Sequence, residues 1–241
     1  MTAMSSYQLC LGGLVFEWRE EGAVTAYADG VDLATLEDTF ARSVLPFALH
    51  TRGTQVLHAS AVLGSSGLCV LCARSGTGKS TIAYALSRRP GALLWADDAV
   101  AFDVDAARPN ALPLPFSLRL RPASAEHLGR ADRPLVRGPL IDRPAAISSV
   151  IVLEQLPATA PQDVRVTRLS DDTAFTSVLE HAYCFSFDSR FMKRTSEAYL
   201  SLVARVPIYQ VRFAGRLELI QRIVDVLEDL NHESSLGRHP R

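Results

Sequence analysis

The sequence has few of the features that define specialised protein classes. Its 241 residues include four cysteines and 7% aromatic residues, and the formal net charge is only -1. A near-neutral charge argues against a nucleic-acid partner, which would need a basic surface. The longest apolar runs, LCVLCA and SVIVL, are far too short to cross a bilayer, so we expect no membrane association. The first residues lack a basic stretch followed by a cleavage site, which predicts a cytoplasmic protein.

The cysteines predict reduced thiols in such a protein. Cys69 and Cys72 have the spacing of a redox motif, but they stand in an apolar run that is typical of a strand. Two small core residues are therefore the favoured interpretation. No further ligands stand at a suitable spacing, so the sequence predicts no zinc site.

Strand and helix patterns alternate along the chain. Residues 7–28 predict a β-hairpin turning at REEG, and residues 31–45 have helical spacing. Further strands are predicted at QVLHASAVLG, GLCVLCA, ALLWADDAVAFDVD, FSLRLR, AISSVIVLEQL, DVRVTRL and VPIYQVRFA. Further helices are predicted at residues 79–88, SDDTAFTSVLEHAYCF, SRFMKRTSEAYLSLVAR and GRLELIQRIVDVLEDL. This mixture around a glycine-rich turn predicts an α/β core.

We divide the chain into three parts on these patterns. Residues 1–52 form a hairpin-plus-helix extension packed on the core, residues 53–230 form the core domain, and residues 231–241 form a disordered tail. Within the core domain, residues 104–146 are rich in Pro, Arg and Ala and predict mostly irregular structure. Long loops in compact domains are often functional, so this segment is a candidate to face a substrate.

The stretch CARSGTGKST predicts a phosphate-binding loop. A strand, a glycine-rich turn and a helix that opens with Lys-Ser-Thr form the context in which backbone amides and a helix N-terminus cradle phosphate. Gly76 and Gly78 supply conformations that a Cβ would block. Ala73 stands where the usual pattern has its first glycine, and its small side chain is tolerable there. The predicted nucleotide-binding residues are Ser75, Gly76, Thr77, Gly78, Lys79, Ser80 and Thr81.

An acidic pair and a histidine flank this loop in the sequence. Asp97 and Asp98 end an apolar strand, where neighbouring side chains point to opposite faces. One carboxylate could then bind Mg²⁺ while the other accepts a proton from an acceptor hydroxyl. A polar strand end with turn-forming aspartates is the alternative. His58 stands in the strand before the loop strand, where a lone histidine is more often a core residue.

These residues together resemble one known family. LHASAVLGSSGLCVLCARSGTGKST followed by LLWADDAV is similar to the catalytic domain of HPr serine kinase/phosphorylase. The resemblance implies a P-loop fold of the phosphoenolpyruvate-carboxykinase type, with a mixed sheet flanked by helices. It covers residues 55–104 closely and the later strands and helices loosely. His58 is followed by Ala59 where the family has glycine, and SLRLRPASAEHLG replaces the family's Glu-Ile-Arg-Gly signature.

The resemblance also implies cofactors and roles. ATP and Mg²⁺ are the expected cofactors. Lys79 resembles the phosphate-binding lysine, Ser80 the Mg²⁺ ligand and Asp98 the proton acceptor. Asp97 is expected to support Asp98 or to bind the metal, and His58 resembles the active-site histidine.

The acceptor is predicted from resemblance alone. Small proteins of this kind resemble kinases of precursor peptides, including lasso-peptide precursors, so we expect the phosphate acceptor to be a serine on a peptide or small protein. The resemblance also allows the protein itself to form a homo-oligomer. An HPr-like acceptor, a small-molecule acceptor and a nucleotide-binding regulator without phosphate transfer stay as alternatives. The arginines considered for substrate or phosphate contact are Arg119, Arg121, Arg137 and Arg143, of which the first two are favoured.

Overall fold

The computed structural model describes residues 6–105, 108–129, 135–138, 140–184 and 188–236. Its strands are β1 (Ser6–Leu11), β2 (Leu14–Arg19), β3 (Thr25–Tyr27), β4 (Gln55–Leu57), β5 (Ala59–Gly64), β6 (Gly67–Ala73), β7 (Leu93–Ala96), β8 (Val100–Asp103), β9 (Asn110–Leu112), β10 (Phe116–Arg119), β11 (Leu135–Gly138), β12 (Ala145–Leu156), β13 (Arg165–Arg168) and β14 (Ile208–Ala214). Its α-helices are α1 (Leu33–Thr39), α2 (Leu45–Thr51), α3 (Lys79–Leu86), α4 (Pro122–His127), α5 (Asp171–Leu179), α6 (Ser189–Arg205) and α7 (Ile220–Leu236). A π-helical turn, Phe40–Val44, joins α1 to α2, and a 3₁₀ turn, Leu217–Leu219, precedes α7. None of the helices described combines the length and the apolar character needed to span a membrane.

The N-terminal part is a three-stranded antiparallel sheet followed by α1 and α2. The hairpin predicted to turn at REEG is present as the antiparallel pair of β2 and β3. The single strand predicted before that turn is wrong, because the chain also turns at Gly12 and Gly13, whose φ angles are 53° and 87°. Two adjacent glycines with positive φ suit a tight hairpin turn. The buried indole of Trp18 donates a hydrogen bond of 2.9 Å to the Thr51 hydroxyl at the end of α2. This bond ties the small sheet to its helices.

The main sheet is mixed. Its strand order is β4-β8-β9-β12-β6-β5-β7, and β14 pairs with β12 and with β13. The long strand β12 runs parallel to both β6 and β14, whereas the remaining pairs of this sheet are antiparallel. Strands β10 and β11 form a separate antiparallel pair. The predicted α/β core with a mixed sheet flanked by helices is confirmed.

Alternation along β6 explains how both faces of the sheet are covered. Cys72 shares one buried cluster with side chains of α5 and α6, whereas Cys69 shares the other with side chains of α3 and α7. Successive residues of a strand point to opposite faces, so β6 needs apolar residues throughout. Burial raises the pKa of the Cys69 thiol to about 11 and that of Cys72 to about 12. The prediction that both cysteines are core residues is confirmed.

Several predicted boundaries are wrong. QVLHASAVLG is two strands broken at His58. Within residues 104–146 the predicted strand FSLRLR is present as β10, but the remainder, predicted as irregular, also contains β9, α4 and β11. The helix predicted from Ser170 ends at Leu179, and residue 185 lies outside the described residues.

The predicted tail also differs from the structure. Helix α7 continues to Leu236, well into the segment expected to be disordered, while residues 237–241 and residues 1–5 lie outside the described residues. Leu230 is buried, and the next residue, Asn231, accepts a hydrogen bond of 3.0 Å from the Ser149 hydroxyl. These contacts hold the last turns of the helix against β12.

Candidate functional site

The glycine loop joins the end of β6 to the start of α3. Gly76 and Gly78 have φ angles of 90° and 95°, in the left-handed region where a Cβ is disfavoured. The amide of Thr77 donates a hydrogen bond of 3.2 Å to the carbonyl of Arg74 and closes the turn. Ala73 is the buried last residue of β6, so the loop forms without a glycine there. The predicted conformational role of the two glycines is confirmed.

A cavity of about 450 Å³ lies against this loop. All seven predicted nucleotide-binding residues, from Ser75 to Thr81, line it, as do His58 and Asp98. Other parts of the lining come from Arg42, from the segment that leads into α7, and from four residues around the start of α4, which are Arg119, Arg121, Ala123 and Ser124. The fold thus gathers groups from distant parts of the chain at one end of β6.

The cavity lining is strongly cationic. Its basic side chains are Arg42, Arg74, Lys79, Arg119, Arg121 and Arg216, whereas Asp98 is the acidic residue of the lining. Sequence reasoning favoured Arg119 and Arg121, which are there, and also considered Arg137 and Arg143, which are not among the lining residues. Arg42, Arg74 and Arg216 were missed. A polyanionic ligand suits such a cavity.

The two aspartates occupy different environments. They follow β7 in a bend instead of ending a strand, and Asp98 has a φ of 66°. The prediction that strand alternation separates them is therefore wrong. Asp97 is buried and accepts hydrogen bonds from the hydroxyls of Ser60 at 2.5 Å and Ser80 at 2.8 Å. Asp98 lines the cavity.

The surroundings of Asp97 disfavour its negative charge. Burial and the nearby Asp98 raise the pKa of Asp97 above its ordinary value, against the opposing effects of Lys79 and the two hydroxyls. A divalent cation beside the carboxylate would favour its ionised form. Among the described residues, no group of three or more His, Cys, Asp or Glu side chains could hold a metal. Ser80 and Asp97 still fit Mg²⁺, which prefers oxygen ligands and takes most of them from water and phosphate.

Asp98 is held between two cations. One carboxylate oxygen lies 2.5 Å from Nη2 of Arg42, and the other lies 3.9 Å from Nζ of Lys79. Lys79 is buried at the start of α3, whereas Arg42 comes from the π-helical turn of the N-terminal part. The site is therefore assembled from both parts of the chain.

His58 touches the backbone of the acidic pair. Its Nδ1 lies 3.0 Å from the carbonyl oxygen of Asp98, and the Tyr183 hydroxyl donates to the same carbonyl at 3.4 Å. Burial and the charge of Lys79 lower the pKa of His58 below its ordinary value, although Asp98 opposes this effect. The ring is thus neutral at pH 7, and because a carbonyl can only accept, Nδ1 carries the proton. Nε2 is left as a hydrogen-bond acceptor.

Comparisons with known proteins give little beyond the fold. No family model matches the sequence, and no curated protein matches it. The structure is similar to the solved HPr(Ser) kinase/phosphatase from Coxiella burnetii, with a TM-score of 0.40 and 12% sequence identity, over 74% of this chain and 97% of that chain. A likeness of this degree carries no argument about activity.

Proposed function

We propose that the protein is a kinase that uses ATP and Mg²⁺ to phosphorylate a serine hydroxyl on a peptide or small protein. The observation that carries this proposal is the placement of Asp98. Its carboxylate lies in the same cavity as the glycine loop and 3.9 Å from Nζ of Lys79. In this proposal Lys79 binds phosphate and Asp98 accepts the proton, the two roles that phosphate transfer to a hydroxyl requires.

The glycine loop and Lys79 hold the phosphate chain of the donor in this proposal. Backbone amides of residues 75–80 and the N-terminus of α3 supply partial positive charge, and Lys79 reaches the β- and γ-phosphates. Mg²⁺, held by Ser80 and Asp97, would neutralise charge on the phosphate chain. Because Asp97 is buried and accepts a hydrogen bond from Ser80, whereas Asp98 lines the cavity, we assign Asp97 to the metal and proton transfer to Asp98.

The transfer step then involves Asp98 and the acceptor. The serine proton passes to the Asp98 carboxylate as the serine oxygen forms a bond to the terminal phosphorus. The bond between that phosphorus and the bridging oxygen breaks, and its electron pair leaves with ADP. Nε2 of neutral His58 can only accept a hydrogen bond, so in this proposal it orients the acceptor peptide through one of that peptide's N–H groups.

The exposure of one side of the cavity supports a peptide acceptor over a small molecule. Arg119, Arg121 and Ala123 line the cavity and are themselves exposed, so this side is open to solvent. An extended chain can enter such a side, whereas a small-molecule site usually encloses its ligand. The resemblance to precursor-peptide kinases suggests a ribosomal natural-product precursor, such as a lasso-peptide precursor, as the first peptide to test.

Tracing the phosphate tests the proposal. The protein is incubated with Mg²⁺, γ-labelled ATP and an extract of its host, and the label is separated into protein, peptide, small-molecule and free-phosphate fractions. We expect label on serine in a peptide or protein. Label that appears only as free phosphate would contradict a kinase and favour a nucleotide-binding regulator.

Removal of one metal ligand should change the Mg²⁺ dependence of the reaction. In Ser80→Ala, Asp97 keeps its bond from Ser60, so the fold should be retained while the cation loses a protein oxygen. We expect the Mg²⁺ concentration for half-maximal rate to rise about tenfold or more, which corresponds to the loss of one good ligand. Ser87→Ala, a matched change at the other end of α3, should leave this concentration unchanged.

A further inference from the structure

The N-terminal part reaches the cavity through one helical segment. Asp38 in α1 and Arg42 in the π-helical turn are four residues apart, so they lie on the same side of the segment. Oδ2 of Asp38 lies 3.0 Å from Nη2 of Arg119, and Nη2 of Arg42 lies 2.5 Å from Oδ2 of Asp98. Both partners line the cavity. The segment is therefore a wall of the site fixed by two ion pairs.

Both members of the Arg42–Asp98 pair stand on unusual backbone. Arg42 belongs to a π-helical turn, a form that is rare and frequent at functional sites. Among the described residues, Asp98 is the one residue other than glycine that has a positive φ angle. Such conformations persist where the surroundings hold them, and they cluster at active sites. The local fold thus holds these two side chains against each other at the mouth of the glycine loop.

The two cations around Asp98 differ in solvent exposure. The Lys79 side chain is 7% exposed, whereas that of Arg42 is 31% exposed. A guanidinium forms paired hydrogen bonds to phosphate as readily as to carboxylate. Resting on the kinase function proposed above, we propose that Arg42 contacts the terminal phosphate of the donor and exchanges its Asp98 partner for that phosphate when ATP binds.

The exchange links donor binding to the proton acceptor. When the terminal phosphate is bound, Arg42 and Lys79 contact that phosphate in place of the Asp98 carboxylate. Asp98 is then available to receive the acceptor proton. Asp98 therefore competes with the terminal phosphate for both cations. ADP lacks that phosphate, so it leaves the Arg42–Asp98 pair undisturbed.

Nucleotide binding measured by calorimetry tests this inference without any acceptor. Dissociation constants for Mg·ATP and Mg·ADP are compared in wild type, Arg42→Ala, Arg42→Lys and Arg19→Ala, the last being an exposed arginine of the same N-terminal part. We expect Arg42→Ala to weaken Mg·ATP about tenfold or more, as the loss of a charged hydrogen bond does. Mg·ADP should change less than about twofold by the same reasoning. The dissociation constant of Arg42→Lys for Mg·ATP should lie between those of wild type and Arg42→Ala. Arg19→Ala should bind both nucleotides as wild type does.

A second variant tests the competition directly. Asparagine tolerates positive φ and keeps the shape of Asp98, so Asp98→Asn should fold. We expect it to bind Mg·ATP several-fold more tightly than wild type, and we expect most of that gain to vanish in the double variant with Arg42→Ala, because coupled residues are not additive.

The outcomes separate this inference from the proposed function. Equal weakening of Mg·ATP and Mg·ADP in Arg42→Ala, or no weakening of Mg·ATP, would overturn the contact between Arg42 and the terminal phosphate. Wild type that binds neither nucleotide would instead overturn the proposed function on which it rests. Melting temperatures of the variants, measured alongside, identify any loss of affinity that comes from unfolding.

Discussion

Asp98→Asn is expected to lower the rate of phosphate transfer strongly, although the variant binds Mg·ATP several-fold more tightly than wild type. Loss of a general base typically lowers a rate by about 10²–10⁴-fold. Asparagine preserves the size of the side chain and accepts the backbone conformation with φ of 66°, and the carbonyl that receives hydrogen bonds from His58 and Tyr183 is unchanged. Single-turnover transfer from γ-labelled ATP to the acceptor, beside a binding titration, measures both effects.

A control for this variant lies on the surface of the same fold. Asp225→Asn in α7 makes the same chemical change outside the cavity lining and should transfer phosphate at the wild-type rate. Transfer by Asp98→Asn within a few-fold of wild type would exclude Asp98 as the proton acceptor. Rapid release of free phosphate by that variant would show instead that water replaces the acceptor.

Lys79→Ala is expected to weaken Mg·ATP binding by about 10²-fold, because charged hydrogen bonds to phosphate are lost. The fold should be kept. Alanine favours the first turn of α3, the two glycines still shape the loop, and Asp98 keeps its pair with Arg42. The melting temperature should fall by less than about 4 °C, which is about 1 kcal/mol at this chain length.

The chain provides its own control for that change, since it contains two lysines. Lys193 lies on α6, is 76% exposed and pairs with Glu197 one turn away. Lys193→Ala should bind Mg·ATP as wild type does. A sharp fall in the melting temperature of Lys79→Ala, with nucleotide affinity unchanged, would show that Lys79 is a structural residue.

The glycine loop could be predicted from sequence because its requirements are local. Positive φ at Gly76 and Gly78 follows from residue type, and the strand before them and the helix after them follow from short patterns. Every loop residue predicted to bind nucleotide lines the cavity. His58 and Asp98 could be added from the resemblance, which carried their spacing from the loop.

The rest of the site depends on contacts between distant segments. The sequence pattern around Arg42 predicts a helix. It does not predict the ion pair between Arg42 and Asp98, because the two residues are far apart in the sequence. The different environments of Asp97 and Asp98 arise from a bend, where strand alternation does not hold. Gly12-Gly13 is a local turn signal that a single hairpin over residues 7–28 does not use, and the structure turns both there and at REEG.

Binding of nucleotides with different numbers of phosphates by the wild-type protein tests the central claim, that the cavity holds a phosphate chain. Calorimetric titrations with Mg·ATP and with AMP need no knowledge of the acceptor. We expect Mg·ATP to bind at least about 100-fold more tightly than AMP, since in the proposed site the loop and Lys79 would contact phosphates that AMP lacks. Equal affinities for the two nucleotides, or no binding of Mg·ATP, would contradict the account.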